Sequence, residues 1–107
     1  MTKDSSKLCY ALLNDYSRLY FERYNRKPVV NIYKEKWAMG DVIDSVGYDR
    51  AKELLAYYFK VSNPSHQLTW FFYNFDRLDD MFKKVEEDNA RRARIRQQTK
   101  KMMEELN

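Results

Sequence analysis

The sequence LTWFFYNFDRLDDMFKKV, at residues 68–85, carries the clearest structural signal in the chain. Its large apolar residues recur at intervals of three or four: Leu68, Phe71, Phe75, Leu78, Phe82 and Val85. Because an α-helix turns once every 3.6 residues, this spacing puts these side chains on one face. The stretch predicts a helix that begins near Ser65 and buries that face in a core. An interruption at residues 74–76, which would split the helix in two, stays open.

The same periodicity predicts three more helices upstream, over residues 5–26, 31–46 and 49–61. Asn31 is a suitable N-cap for the second helix, since its side chain can accept a hydrogen bond from an early amide. Gly47 is a suitable stop between the second and third helices, because glycine readily adopts positive φ. Pro28 disfavours helix at Lys27, and the segment at residues 62–65 predicts a loop. Strands are poorly supported, so the predicted fold is all-α, a compact bundle of four to five helices.

The C-terminal part of the chain has a different character. Residues 83–107 hold few large apolar side chains, and acid-first i,i+4 pairs such as Glu87 with Arg91 support a solvated helix. We therefore predict a helical bundle domain at residues 1–88 and a charged helical extension at residues 89–107. A second stripe lies along the back of this last helix, with residues spaced by multiples of about 3.5 positions, as in a heptad pattern. Its members are Trp70, Arg77, Met81, Ile95, Met102 and Leu106. Charged residues interrupt it, which disfavours a true heptad seam, but packing against a second copy as a homodimer stays open.

Composition limits the class of protein. A chain of 107 residues with nine Tyr, six Phe and two Trp fits one folded domain and not a disordered segment. No apolar run is long enough to span a membrane, and the polar N-terminus lacks the apolar core of a signal peptide. A single cysteine excludes an internal disulfide and a cysteine-based zinc site. These features predict an intracellular protein in a reducing compartment.

Catalytic chemistry has little support. Neither phosphate-binding glycine loops nor an H-E-x-x-H motif is present. Cys9 lies on the core stripe of the first helix, which predicts a buried thiol, and His66 is predicted to be an ordinary loop or helix N-terminal residue. The acids at residues 76–80 and 86–88 alternate with basic residues along one helix, which predicts a solvated face and not a metal site. We therefore expect no enzyme activity and no cofactor or metal.

A basic block at residues 90–101 is the strongest polar signal. It contains six positive charges and no acid: Arg91, Arg92, Arg94, Arg96, Lys100 and Lys101. The arginine fork matches phosphate oxygens, so the block is a candidate nucleic-acid-binding site. Residues 65–107 nevertheless carry nine basic and eight acidic groups, which gives a net charge of +1. Most DNA-binding domains have a larger excess of positive charge. A solvated helix or a protein-binding arm is the alternative interpretation.

Four aromatic residues fall off the core stripe of their own helices: Tyr10, Phe21, Trp37 and Trp70. Aromatic side chains that the main core does not need favour a protein partner, because Tyr and Trp are enriched at interfaces. Stacking on bases is a second use, and burial in the core is the third. We take these four as candidate partner-binding residues.

Two segments carry a resemblance: GYDRAKELLAYYF at residues 47–59 and LTWFFYNFDRL at residues 68–78. Together they resemble a small helical segment of bacteriophage-encoded proteins of the replication-accessory or helicase-loader kind. There, a helix ending in Tyr-Phe is followed by a polar loop and a Trp-Phe helix. The resemblance covers about residues 28–82 and assigns no functional residue. It implies an origin in a phage or another mobile element, and hence a location in the host cytoplasm.

These observations give two expected functions. The first is a non-enzymatic accessory protein of phage or mobile-element DNA metabolism, which contacts nucleic acid through the basic C-terminal helix and a protein through the off-core aromatics. The second is a protein-only inhibitor or adaptor of host machinery, such as a host-defence inhibitor, with no nucleic-acid contact. Small phage proteins include inhibitors of this kind, so the resemblance is compatible with both.

Overall fold

The computed structural model describes residues 3–106, which form four α-helices joined by short loops. The helices are α1 (Lys3–Tyr24), α2 (Ile32–Val46), α3 (Tyr48–Tyr58) and α4 (Leu68–Glu105). No strand occurs within residues 3–106. The predicted all-α class and the long C-terminal helix are confirmed. The outer ends of the two predicted domains, at residues 1–2 and 107, lie outside the described residues.

The core lies where α1, α2, α3 and the first part of α4 meet. Its most deeply buried side chains come from all four helices: Cys9, Leu12, Met39, Val42, Leu54, Leu55, Tyr58, Phe71 and Leu78. The predicted burial of Cys9 is confirmed, and burial, followed by the nearby Asp44 carboxylate, raises the pKa of its thiol. Phe75 and Phe82 pack against this core but are only partly buried.

Three helix ends lie two or three residues from their predicted approximate positions, and the local backbone accounts for these differences. α1 stops at Tyr24, two residues early, because Asn25 adopts a φ of 55° and its N–H bonds to the carbonyl of Phe21 at 2.8 Å. Asparagine tolerates this left-handed conformation and commonly ends helices. α3 stops at Tyr58 and not at residue 61, in a turn where Lys60 N bonds to the carbonyl of Tyr57 at 2.9 Å. α4 begins at Leu68, after His66 takes a φ of 47°.

The proposed interruption of the last helix at residues 74–76 does not occur. α4 runs for 38 residues without a break. Asn74 is accommodated because its side-chain amide donates to the carbonyl of Trp70 one turn earlier, at 2.9 Å. A polar residue that bonds within its own helix in this way leaves the backbone ladder intact.

The two predicted signals around α2 agree with the structure. Asn31 caps α2, and its side-chain oxygen accepts from Lys34 N at 3.4 Å. Gly47 separates α2 from α3 with φ 86° and ψ 160°, a region that only glycine occupies readily. Gly47 is therefore the single residue between α2 and α3.

α4 makes the molecule elongated. A helix of 38 residues is about 57 Å long at 1.5 Å per residue, and the molecule measures 63 × 32 × 20 Å. Its radius of gyration is 18.1 Å, against roughly 13 Å for a compact domain of this length. The difference arises because the second half of α4 extends beyond the bundle.

Candidate functional site

The C-terminal half of α4 leaves the bundle as a free arm. We call residues 89–106 the arm, and every residue in this range is exposed. Glu86 is the last residue of α4 that makes a polar contact with another helix within the described part of the chain, through an ion pair of 2.9 Å with Nη2 of Arg50. The arm is therefore held by one end only, and its whole circumference is open to a partner.

An ion-pair network on α3 sets the direction of the arm. Arg50 donates from Nε to Asp79 at 2.7 Å, pairs with Glu86, and lies 4.5 Å above the ring of Phe82. Burial of Asp79 alone would raise the pKa of its carboxyl, but the hydrogen bonds from Arg50 and Lys83 outweigh burial and lower that pKa. The network thus keeps its charges at neutral pH and clamps α4 to α3 at the point where the arm departs.

The six predicted nucleic-acid-binding residues all lie on the arm and are exposed. Arg91 and Arg92 approach Asp88 at 3.8 and 3.2 Å. The other four form no ion pair with any residue in the described range: Arg94, Arg96, Lys100 and Lys101. Because these four exposed cations without an ion pair share one helix, the arm is a candidate surface for an anionic partner.

The arm divides its charges between two flanks. At 100° per residue, Arg91, Arg94 and Lys101 follow one side, and Arg92, Arg96 and Lys100 follow the opposite side. Each row spans no more than about 15 Å along the helix axis. Between the rows runs a strip with exposed apolar side chains: Ile95, Met102 and Leu106. One row at a time can therefore follow a phosphate backbone while the strip faces elsewhere.

The four candidate partner-binding aromatics do not form one surface. Tyr10 and Trp37 lie close together on α1 and α2, since Lys36 Nζ sits 5.9 Å and 5.3 Å from their ring centroids. Trp37 is 55% exposed, whereas Tyr10 is partly buried. Phe21 is 48% exposed and lines a separate groove with Val30 and Ile32.

Trp70 is placed differently from the other three. Its ring is partly buried and stacks on Tyr58, with centroids 5.3 Å apart and planes at 6°. Its position off the main stripe therefore reflects packing against α3. The stacked face of the ring is already occupied within the bundle, so only its outer edge is open to a partner.

His66 was expected to be an ordinary loop residue, but its side chain is fully buried. Its Nε2 lies 2.9 Å from the carbonyl of Val61, and its Nδ1 contacts the hydroxyl of Tyr24. A carbonyl can only accept, so Nε2 carries a proton. Burial, together with the nearby Arg23 charge, lowers the pKa of His66 and so favours the neutral imidazole, in which Nδ1 accepts from the Tyr24 hydroxyl.

The surroundings of His66 explain why it is enclosed. Its backbone carbonyl accepts from the Tyr16 hydroxyl at 2.7 Å, and its ring stacks on Phe59 at 4.9 Å between centroids. The aromatic positions 16, 20 and 24 recur every four residues on α1, a spacing from which an aromatic face towards His66 could have been predicted. Because no part of His66 is exposed, a substrate would reach it only after the loop opened.

The remaining surface offers no metal site and no membrane helix within residues 3–106. No group of three or more His, Cys, Asp or Glu side chains in this range is arranged to hold a metal ion. None of the described helices combines the length and the apolar character needed to cross a bilayer.

No protein-family model matches the chain, and no curated protein or solved structure shows significant similarity to it. Its function must therefore be inferred from the arm and the aromatic surfaces described above.

Proposed function

We propose that this protein is a non-enzymatic accessory protein of phage or mobile-element DNA metabolism that binds nucleic acid through its arm. The observation that supports this proposal is the set of four cations on the arm that have no acidic partner: Arg94, Arg96, Lys100 and Lys101. They share one projecting helix with Arg91 and Arg92, so six positive charges lie within 11 residues. Phosphate oxygens are a ligand class that binds such a concentration of Arg and Lys.

The geometry favours contact with the backbone over reading of base sequence. The arm offers Arg and Lys on two flanks of a single helix whose residues are all exposed, an arrangement suited to positioning contacts with phosphates. Contacts of Arg and Lys with phosphates release counterions and depend little on sequence. We therefore expect affinity that falls steeply with salt and discriminates weakly between sequences.

A protein partner is the second part of the proposal. The exposed ring of Trp37 and the groove formed by Phe21, Val30 and Ile32 lie on the α1 and α2 side of the bundle. Exposed aromatic side chains next to apolar grooves are typical anchors of protein interfaces. Either of these two separate features would let the bundle bind a protein while the arm binds nucleic acid.

The same exposed aromatic residues favour a second candidate function, a protein-only inhibitor or adaptor of host machinery. In that case Trp37 and Phe21 would supply the binding energy, and the arm would be a solvated helix or a docking element for an acidic protein surface. An interface anchored by aromatic side chains depends much less on salt than phosphate contact does. Salt dependence therefore separates the two functions.

The test replaces Arg91, Arg92, Arg94 and Arg96 together by Gln. Arg and Gln have similar helix propensity, so the arm should stay helical. Binding to duplex and single-stranded DNA is measured across a salt series for the wild type and the variant. If the four side chains meet phosphates, the slope of log affinity against log salt flattens by up to about 3.6 on duplex DNA.

A control of equal charge replaces Lys3, Lys7, Lys52 and Lys60 by Gln. These four are exposed on the bundle and form no ion pair within residues 3–106. The control removes the same net charge from a different place. If the phosphate contacts are made by the arm, the control keeps the wild-type slope. Wild-type protein that binds neither form of DNA at low salt would overturn the proposal and leave the protein-only function. Equal slopes for the two variants would show that binding follows net charge and not the arm.

A further inference from the structure

We propose that α4 pairs with α4 of a second copy as an antiparallel two-stranded coiled coil. The seam consists of eight positions at alternating spacings of four and three: Met81, Val85, Asp88, Arg92, Ile95, Thr99, Met102 and Leu106. This 4-3 alternation over three and a half heptads is the pattern of a left-handed coiled coil. The proposal depends on this seam and not on the nucleic-acid function above.

The seam is apolar and unoccupied along most of its length. Its five large apolar side chains are all exposed, from 37% for Met81 to 85% for Leu106. The sequence alone disfavoured a heptad seam because charged residues interrupt the stripe. Once Val85 is included, only Asp88 and Arg92 are charged seam positions, and they are adjacent layers that pair with each other at 3.2 Å.

An isolated arm has a reason to find a partner. Residues 89–106 make no hydrogen bond, ion pair or ring contact with another helix. Helices of about this length are marginal in water without an apolar face to pack. Covering Ile95 with the apolar residue Val85 of a second copy supplies packing at the inner end of the arm.

Charge complementarity determines the orientation. In an antiparallel pair centred on residue 90, position i lies opposite position 180 − i, so Asp88 faces Arg92 of the second copy and Arg92 faces Asp88 of the second copy. The neighbouring layers are then apolar, with Val85 opposite Ile95 of the second copy. In a parallel, in-register pair, Asp88 would face Asp88 and Arg92 would face Arg92. Like charges in two adjacent seam layers destabilise that alternative.

The antiparallel arrangement leaves the outward cations accessible. Arg94, Lys100 and Lys101 lie away from the seam, so they remain free to bind phosphates in the dimer. Arg91 lies beside the two-fold axis and meets its own equivalent there. Its own Asp88, at 3.8 Å, partly compensates this like-charge pair.

The first experiment measures molar mass against concentration by sedimentation equilibrium. The wild type is expected to approach twice 13.1 kDa. Ile95→Glu places a carboxylate in an apolar layer and should raise the dimer dissociation constant roughly 30-fold or more. Ala90→Glu adds the same charge on the opposite face of the arm and should leave the dissociation constant within a few-fold of the wild type.

Ile95 and Ala90 both lie on an exposed part of α4, so the fold of the two variants should not change, and circular dichroism checks this. Wild-type protein that stays monomeric at its highest attainable concentration would overturn the proposal. So would equal dissociation constants for Ile95→Glu and Ala90→Glu.

The second experiment tests the orientation by disulfide trapping. Val85→Cys and Ile95→Cys are made separately. The wild type, which contains only the buried Cys9, is the control for background cross-linking. Antiparallel pairing predicts a disulfide-linked dimer only when the two variants are mixed, because residue 85 then lies opposite residue 95 of the second copy. A linked dimer of Val85→Cys alone indicates a parallel pair and overturns the antiparallel assignment.

Discussion

Among single residues, His66 shows how a polar side chain becomes part of a core. All four of its polar atoms are bonded: its N to the Asn63 side chain, its carbonyl to Tyr16, and its two ring nitrogens to Tyr24 and Val61. A buried polar group costs little when every partner is present and a great deal when one is missing. His66 therefore holds the loop between α3 and α4 against α1, and its neutral form is the one that fits.

Acidification should destabilise the protein through His66. Burial lowers its pKa in the folded state, whereas in the unfolded chain the pKa is about 6.5. As pH falls through the unfolded value, the unfolded chain binds a proton before the native state does, so the free energy of unfolding decreases. The contribution is fully present above about pH 6.5 and declines by at most about 1.4 kcal/mol per pH unit below it.

The measurement compares denaturant unfolding of the wild type and His66→Asn between about pH 8 and about pH 5.5. Asparagine tolerates the left-handed backbone at this position but does not titrate. The stability difference between the two proteins should shrink as pH falls. NMR titration of His66, the only histidine in the chain, gives its pKa independently, and this pKa should lie below that of histidine in the unfolded chain. A stability difference that does not vary with pH, together with an ordinary histidine pKa, would contradict this role.

At the level of secondary-structure elements, the connection between α2 and α3 depends on one backbone conformation. Gly47 has φ 86° and ψ 160°, and a Cβ placed there would meet no atom within 4 Å. Space is therefore not the constraint at this position. The constraint is the backbone itself, because residues with a side chain rarely adopt this region.

Gly47→Ala should reduce the free energy of unfolding by about 1–3 kcal/mol. The expected loss is purely conformational, since no neighbouring atom has to move. The control is Asn25→Gly, the opposite change at the positive-φ residue that ends α1, which should leave stability unchanged or raise it slightly. Both are measured by urea denaturation. If Gly47→Ala is as stable as the wild type, α3 can start from a different turn.

At the scale of the whole molecule, bundle and arm differ in how they are stabilised. The bundle buries apolar side chains from four helices. The arm makes no polar contact with another helix in the described part of the chain, and the last such contact of α4 is at Glu86. The isolated protomer therefore contains a cooperative unit followed by a helix that depends on its own i,i+4 pairs or on a partner. The long axis of 63 Å follows from this division.

Ending the chain after Asp88 should leave the bundle folded. The cut keeps Phe82 and the Arg50–Glu86 ion pair, and we expect the free energy of unfolding at low protein concentration to change by less than about 1 kcal/mol. Ending the chain after Asp80 is the control and should be clearly destabilising, because it removes Phe82 and Glu86. Thermal unfolding followed by circular dichroism measures both. A shortened chain ending at Asp88 that no longer unfolds cooperatively would show that the arm packs on the bundle.

Much of the fold could be predicted from local chemistry. The apolar spacing in residues 68–85, the Asn31 cap and Gly47 each act within a few residues of the chain. Helix ends were less predictable, because Asn25 and His66 take positive φ for reasons that lie partly outside the local sequence. For the candidate site, the sequence indicated the six basic residues. It could not indicate that four of them lack acidic partners.

The sequence by itself determined the helical class, the order of the helices and the contrast between an apolar bundle and a charged C-terminus. These follow from periodicity and composition, which are properties of neighbours along the chain. Only the tertiary structure decided that His66 is buried, that Trp70 stacks inside while Trp37 stays exposed, and that α4 runs unbroken into a free arm. Burial depends on which helices approach one another, and Tyr16 and Tyr24 reach His66 across more than 40 residues of sequence. No local sequence pattern encodes the contact of Tyr16 and Tyr24 with His66, because the interactions that stabilise it form only after the helices have packed.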